Sequence, residues 1–337
     1  MMKLWGKNRP IQGDGESLAR VLGYLREINL RNAKRILLIL TSDQSFEQKK
    51  RIFKKALKAI NLEKVHWRPR NLIEEHPDKS SSSPRVLYVF HIFYPEYVDR
   101  VLGEIQRFEG SLDFRITTPS EQIHKRLISE LSSLENVDKK IILTPNVGRN
   151  FGPLLVEFRD EIKKFEYLIH LHSKKSLHIK KHRATSWSDR NWKLLLEDKD
   201  LVRRSLEILQ RNSDVGILYS DTTDILNLEN YSWGENYKFL SKITLNQDTP
   251  REHSHIAFPA GGMFAARVDG LLGLLQNNFS YDMFPVEKSQ LDGTMQHAIE
   301  RVIGTEMTAR RLRHAIYYPK ENAFSSDLGF LEIENDD

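Results

Sequence analysis

The chain has 337 residues, 39% of them hydrophobic, which is enough for two ordinary domains or one large one with a packed core. It has no cysteine, so disulfides and thiolate metal sites are excluded. Its 51 basic residues against 46 acidic ones leave a net charge of +5 and a pI of 9.1. That mild excess suits an anionic ligand or a membrane surface as well as nucleic acid.

The opening MMKLWGKNRP lacks the apolar stretch of a secretory signal. No uncharged apolar run approaches the roughly 18 residues of a membrane span. A cytoplasmic protein is therefore expected, with association to the inner face of a membrane left open. Residues 1–79 read as a small α/β extension. Leu18, Val21, Leu22, Leu25 and Ile28 share a helical face, RILLILT at residues 35–41 is a strand, and residues 45–60 form a basic amphipathic helix. A serine run, Ser80 to Ser83, then ends at Pro84 and marks a boundary. The main domain is expected over residues 84–330.

From there strands and helices alternate. Strands are expected at 86–90, 114–117, 141–143, 167–171 and 215–219, and helices at 96–108, 121–134, 154–165, 201–210 and 294–303. Such alternation predicts a doubly wound, mostly parallel sheet, with ligands beyond the carboxyl ends of its strands. Residues 221–254 break the pattern. This long polar segment, with Tyr231, Trp233 and Tyr237, is expected to serve as a lid or binding loop.

Several polar clusters fall where strands end. His91, Phe93 and Tyr94 follow the first; the aromatics, Tyr94 above all, suit stacking on a base or sugar, and the alternative is core packing for Phe93 with a turn at Pro95. Asn146-Val147-Gly148-Arg149-Asn150-Phe151-Gly152-Pro153 joins two glycines, which permit close backbone approach, to two asparagines, each both donor and acceptor. A tight strand-to-helix turn would explain the same residues. In HLHSKKS, His170 and His172 point to one side of a strand, and Lys174 and Lys175 lie past its end. A metal-binding pair and a cationic seat for a diphosphate are both open, and the absence of a nearby carboxylate favours the seat. FPAGGMFAAR sets Gly261 and Gly262 between an apolar strand and Met263, a place for ligand contact or a bulge. Asp292 is expected to N-cap the last helix. Glu287, in the loop before it, has no such duty and is the first candidate general base, with Asp292 second. His297 and Arg301 share one helix face, turned to the site or paired with Glu300.

Taken in order, NVGRNFGPLL, EYLIHLHSKKS, a basic segment containing Trp187 and Trp192, FPAGGMFAAR and EKSQLDGTMQHAIER resemble the rhamnan synthesis protein F family, over about residues 85–301. The resemblance implies an α/β, Rossmann-like fold of the glycosyltransferase A type. It implies transfer of a sugar, L-rhamnose by the family's name, from a nucleoside diphosphate donor to a glycan or lipid-linked glycan. Metal-dependent enzymes of that type end a strand in Asp-x-Asp. Here His170 to Lys175 stands there, so no metal ligand is assigned and metal-independent chemistry is expected, with manganese or magnesium left open. In this reading His91, Tyr94 and Thr117 border the nucleoside, while Asn146, Arg149, Asn150 and His172 orient the donor. Lys174 and Lys175 receive the diphosphate charge, and Gly261, Gly262, Met263, His297 and Arg301 face donor and acceptor. Two alternatives stand beside it: a glycan-binding module without turnover, and nucleic-acid binding through the tryptophan-containing basic segment 174–193. The second is disfavoured by the near balance of acidic and basic residues.

Overall fold

The computed structural model describes residues 72–73, 84–107, 112–134, 137–173, 181–222, 225–226, 228–245, 256–286 and 292–326. All belong to one compact unit, Pro69–Leu331. Apart from Leu72 and Ile73, the expected N-terminal extension lies outside the described residues, as do Lys174, Lys175 and Glu287.

The described strands are β1 (Val86–His91), β2 (Leu112–Thr118), β3 (Val137–Leu143), β4 (Tyr167–His172), β5 (Val215–Ser220), β6 (Phe264–Arg267), β7 (Arg313–Tyr318) and β8 (Ala323–Ser325). They form one sheet in the order β3-β2-β1-β4-β6-β5-β7-β8. The β1, β2, β3 and β4 pairings are parallel, and so is β5 with β7. β6 runs antiparallel to both β4 and β5, and β8 antiparallel to β7. The expectation of a mostly parallel Rossmann-like sheet holds, with a reversed strand inserted between β4 and β5. Leu72 and Ile73, upstream of the serine run, lie on β8: Leu72 bridges Ser325, and the Ile73 amide donates to the Phe324 carbonyl at 2.9 Å.

Helices cover both faces. α1 (Val98–Arg107), α2 (Glu121–Leu131) and α6 (Lys199–Arg211) pack on the face carrying Tyr88, Phe90, Phe114, Ile116, Ile169 and Leu171. Ser120 caps α2 by accepting the Ile123 amide, and Asp198 caps α6 by accepting those of Asp200 and Leu201, contacts of about 1 kcal/mol each. Between them, α5 (Lys181–Trp192) runs into a π-helical turn, Lys193–Glu197, whose three leucines enter the same core. Trp187 and Trp192 are buried. Trp192 lies against Phe90 and Tyr97, with Arg100 over its ring at 4.8 Å. These two indoles belong to the core, so base stacking by them is removed as a reading.

The other face carries α3 (Phe151–Glu157), α4 (Arg159–Ile162), the short α7 (Leu272–Leu275) and the long α8 (Met295–Ala309). The expected amphipathic helix after β3 is split at Phe158, whose backbone leaves helical geometry at φ −121°, ψ 1°. β3 begins earlier than its apolar residues imply. It is an edge strand, where Asp138 and Lys140 are exposed and Lys139 donates to the Leu131 and Leu134 carbonyls, while the backbone still pairs with β2.

Packing overturns three readings: the free-standing lid, the strand before Gly261 and a core place for Phe93. Residues 221–254 contain no free-standing lid where they are described: Tyr231 and Trp233 are fully buried, and Leu240 and Ile243 are also buried. Residues 258–260 form no strand; β6 starts only at Phe264, after a turn built on both glycines. Of the two readings of Phe93, core packing falls: the ring is 40% exposed and packs edge-on against Tyr94.

Candidate active site

The carboxyl ends of β1 to β5 and β7 lie along one edge of the sheet, with the start of β6 among them. Alternation of side chains decides what faces α3 and α8 there. On β1 and β4 the apolar Phe90, Ile169 and Leu171 take one face, so His91, His170 and His172 take the other. The register pairs His91 with His172 and with Thr117. His91 Nδ1 and Thr117 Oγ1 are hydrogen-bonded at 2.9 Å, both buried.

The two β4 histidines hold the diglycine turn. His170 donates from Nδ1 to the Gly262 carbonyl at 2.7 Å. His172 donates from Nε2 to the Gly261 carbonyl at 2.6 Å. The Gly261 amide in turn donates to Glu300 Oε1 at 2.7 Å, from α8. Both glycines have positive φ, 91° and 73°, which few other residues adopt. The turn is therefore clamped from the strand below and the helix beside it. Burial, with the charge of His172 as a second cause, holds the pKa of His91 and of His170 down at about 3.

The NVGRN segment closes against this turn. Gly148 (φ 74°) and Arg149 (φ 51°) are both left-handed, and Val147 bridges Val286. Asn150 is buried just before α3, with its Nδ2 where a Gly262 side chain would be: a methyl group there would sit 2.6 Å from it. Asn146 is exposed, and Tyr94 is half-buried, its amide donating to Ser173 Oγ at 3.1 Å. Met263 is buried beneath the turn.

A third segment, Asp292 to His297, completes the edge. Asp292 is not the cap of α8. Gly293 (φ 75°) reverses the chain and leaves Thr294 in the N-cap place. Asp292 instead accepts from Asn236 Nδ2 at 2.7 Å, and Asn236 Oδ1 accepts the Gly293 amide at 3.0 Å. Asn236 thus ties the polar segment after β5 to the helix start. Arg149 reaches His297 at 3.1 Å, and Thr294 Oγ1 lies 2.8 Å from the other ring nitrogen. Arg301 is buried as a strut. It donates to the carbonyls of Ser232, His297 and Asn230 and stands 3.5 Å from Asp292.

The site therefore unites His91, Thr117, His172 and the NVGRN, diglycine and DGT segments, which are separated by up to about 200 residues in sequence. Sequence reasoning missed Glu300 and Asn236 as supports and Ser173 as the anchor of the turn after β1, where it accepts the amides of Phe93 and Tyr94. Glu300 was legible only as a partner for its helix neighbours. Among the described residues no three His, Asp or Glu side chains are grouped as a metal site. No described helix is long and apolar enough to cross a membrane.

Residues 20–311 match the family model described as rhamnan synthesis protein F. The chain belongs to this family. The match begins well before residue 85, so the family also takes in most of the N-terminal extension. Two relatives from Xanthomonas campestris pv. campestris, each described as uncharacterized protein WxcX, are similar over 242 residues. The one from strain B100 is 26% identical and the one from strain ATCC 33913 is 25% identical. Each alignment covers 71% of this chain and 34% of the relative, so the chain spans about a third of the relatives' length.

Proposed function

We propose that this protein transfers a sugar from a nucleoside diphosphate donor to a growing cell-surface polysaccharide, on a glycosyltransferase A-type fold. The observation that carries the reading is the convergence of the NVGRN segment, the clamped diglycine turn and the start of α8 on the carboxyl edge of the sheet. In open α/β sheets that edge is where ligands bind. A chain of the rhamnan synthesis protein F family with such an edge is best read as a transferase, with L-rhamnose as the first sugar to test.

In this reading Tyr94, beside the buried His91–Thr117 pair, borders the base and ribose. Asn146 and Arg149 bind donor hydroxyls and phosphates, and the diglycine backbone faces the sugar. Glu287 takes the proton of the acceptor hydroxyl as its oxygen bonds to the sugar's anomeric carbon. The bond from that carbon to the diphosphate breaks, and its electron pair leaves with the nucleotide. Lys174 and Lys175 stabilise the charge that develops on the leaving group, the role a metal ion plays in enzymes with Asp-x-Asp. Asp292 is the second candidate base. The acceptor is a glycan or lipid-linked glycan, met at the cytoplasmic face of a membrane.

The test is a thermal-shift and turnover panel on the full chain, with dTDP-L-rhamnose, UDP-sugars and GDP-sugars, each with and without manganese. Stabilisation by one nucleotide class and release of its diphosphate in the presence of acceptor are expected. Glu287→Gln should lower turnover by roughly 10²–10⁴-fold and leave donor affinity nearly intact. Wild-type turnover in that variant would pass the role to Asp292. Binding of glycan without nucleotide binding or turnover would make the protein a glycan-binding module.

A further inference from the structure

Arg149 is the cation that the described structure brings to the candidate phosphate region, and its backbone is unusual. At φ 51° it sits in the left-handed region, directly after Gly148 at 74°. A non-glycine residue there carries a conformational penalty and persists where surrounding contacts hold it. One such contact is defined. Arg149 Nη1 lies 3.1 Å from His297 Nε2. A guanidinium has no acceptor atom and does not lose its proton, so the imidazole must accept through a bare Nε2. The neutral ring then carries its proton on Nδ1, which donates to Thr294 Oγ1 at 2.8 Å. Thr294 is the N-cap residue of α8. A chain of hydrogen bonds thus runs from the start of a fifteen-residue helix through one tautomer of His297 to the guanidinium.

We propose that His297 is a positioning residue: as the neutral Nδ1–H tautomer it accepts from Arg149 and helps to set the guanidinium for the donor diphosphate, and its protonation breaks that bond. This rests on the nucleotide-sugar reading and adds the control of its phosphate contact. The charged groups described around the ring are Arg149, Asp292 at 4.0 Å from Nδ1, and Arg301, which donates to the His297 carbonyl at 3.0 Å. Protonation removes the lone pair that Arg149 uses and sets a cation between two arginines. Asp292 offsets part of that repulsion, but from the Nδ1 side, and cannot restore the Nε2 contact. Acidification should therefore weaken donor binding in the wild type more than in a variant whose residue 297 does not titrate.

The experiment is isothermal titration of UDP, dTDP and GDP into the full chain, as wild type, His297→Ala and His297→Gln, at about pH 8 and about pH 5.5. Glutamine retains an acceptor oxygen and does not titrate. At the higher pH, alanine should weaken the bound nucleotide by about tenfold, and glutamine should recover affinity to within about threefold of wild type. On acidification the wild type should lose roughly tenfold more affinity than His297→Gln, a comparison that cancels the nucleotide's own titration. Equal affinities for wild type and His297→Ala overturn the proposal, as does an equal pH response in wild type and His297→Gln. If the wild type binds none of the three nucleotides, the nucleotide reading fails separately. Nitrogen-15 spectra of the free protein then decide the contact. A protonated Nδ1 with a bare Nε2 at neutral pH supports the hydrogen-bond chain, and the Nε2–H tautomer overturns it.

Discussion

Gly304, in the middle of α8, sets two physical effects against each other. Alanine is the better helix former by about 1 kcal/mol, so a reading from propensity alone predicts that Gly304→Ala stabilises the protein. The structure predicts the reverse. A Cβ on Gly304 would lie 1.9 Å from the Ala257 carbonyl oxygen, 2.9 Å from its carbon and 3.0 Å from Phe258 Cα. All three atoms are backbone, so no rotamer change relieves the clash. The helix or residues 257–258 must move. Overpacking of this kind costs about 1–3 kcal/mol, occasionally more, and here it displaces a segment rather than a side-chain tip. Because backbone must move, the upper figure of about 3 kcal/mol applies, and subtracting the propensity gain of about 1 leaves a net loss of about 2 kcal/mol, or roughly 4–8 °C in melting temperature for a domain of this size. The segment leads directly into the diglycine turn, whose Gly261 amide bonds to Glu300 on the same helix. Ligand affinity at the site should therefore fall with stability. The assay is thermal and urea unfolding of wild type and variant side by side. A Gly304→Ala protein that melts at or above the wild-type temperature would show that α8 does not lie on residues 257–258, and the clamped turn would lose its support.

Gly262→Ala should also destabilise, by roughly 2 kcal/mol, since its φ of 73° disfavours a side chain and the new methyl would stand 2.6 Å from Asn150 Nδ2 and 3.1 Å from the Phe151 ring; unchanged unfolding would mean the turn has another conformation. Stability should depend on pH through three buried histidines. Burial holds the pKa of His91 and His170 at about 3 and that of His314 at about 4, below their ordinary 6.5. The unfolded chain therefore binds protons that the native one does not. Stability is full above about pH 6.5 and falls as pH drops towards 4, by up to about 1.4 kcal/mol per pH unit for each histidine. Urea midpoints measured between about pH 7 and pH 4.5 check this, and a flat profile would mean these rings are not buried as neutral groups.

Much of the architecture was legible because periodicity records burial. The runs VLYVF, YLIHL and VGILY are fully apolar or nearly so because both faces of the sheet are covered, and they became β1, β4 and β5. The polar start of β3 was hidden because an edge strand needs only backbone pairing on one side. The reversed β6 was hidden because an apolar strand reads the same in either direction. Tyr231 and Trp233 looked like lid residues because their neighbours are polar, yet the space beside Phe258 and α8 takes them into the core. Asp292 looked like a cap because capping is judged from the residue type beside a helix. The left-handed Gly293 moved the cap place to Thr294 and freed the carboxylate for Asn236.

Local sequence alone determined the strands and helices whose apolar residues recur every two or every 3.6 positions, β1, β4 and β5 among them, and the polar residues at their ends; it did not mark β7 and β8. Only the tertiary structure decided which of those ends meet. The bond from Glu300 to Gly261, the pair Arg149–His297 and the placing of Asn150 against Gly262 join residues about 40 to 150 apart in the chain. Hydrogen-bond partners are chosen by distances of a few ångströms in space, a quantity that spacing along a sequence does not carry.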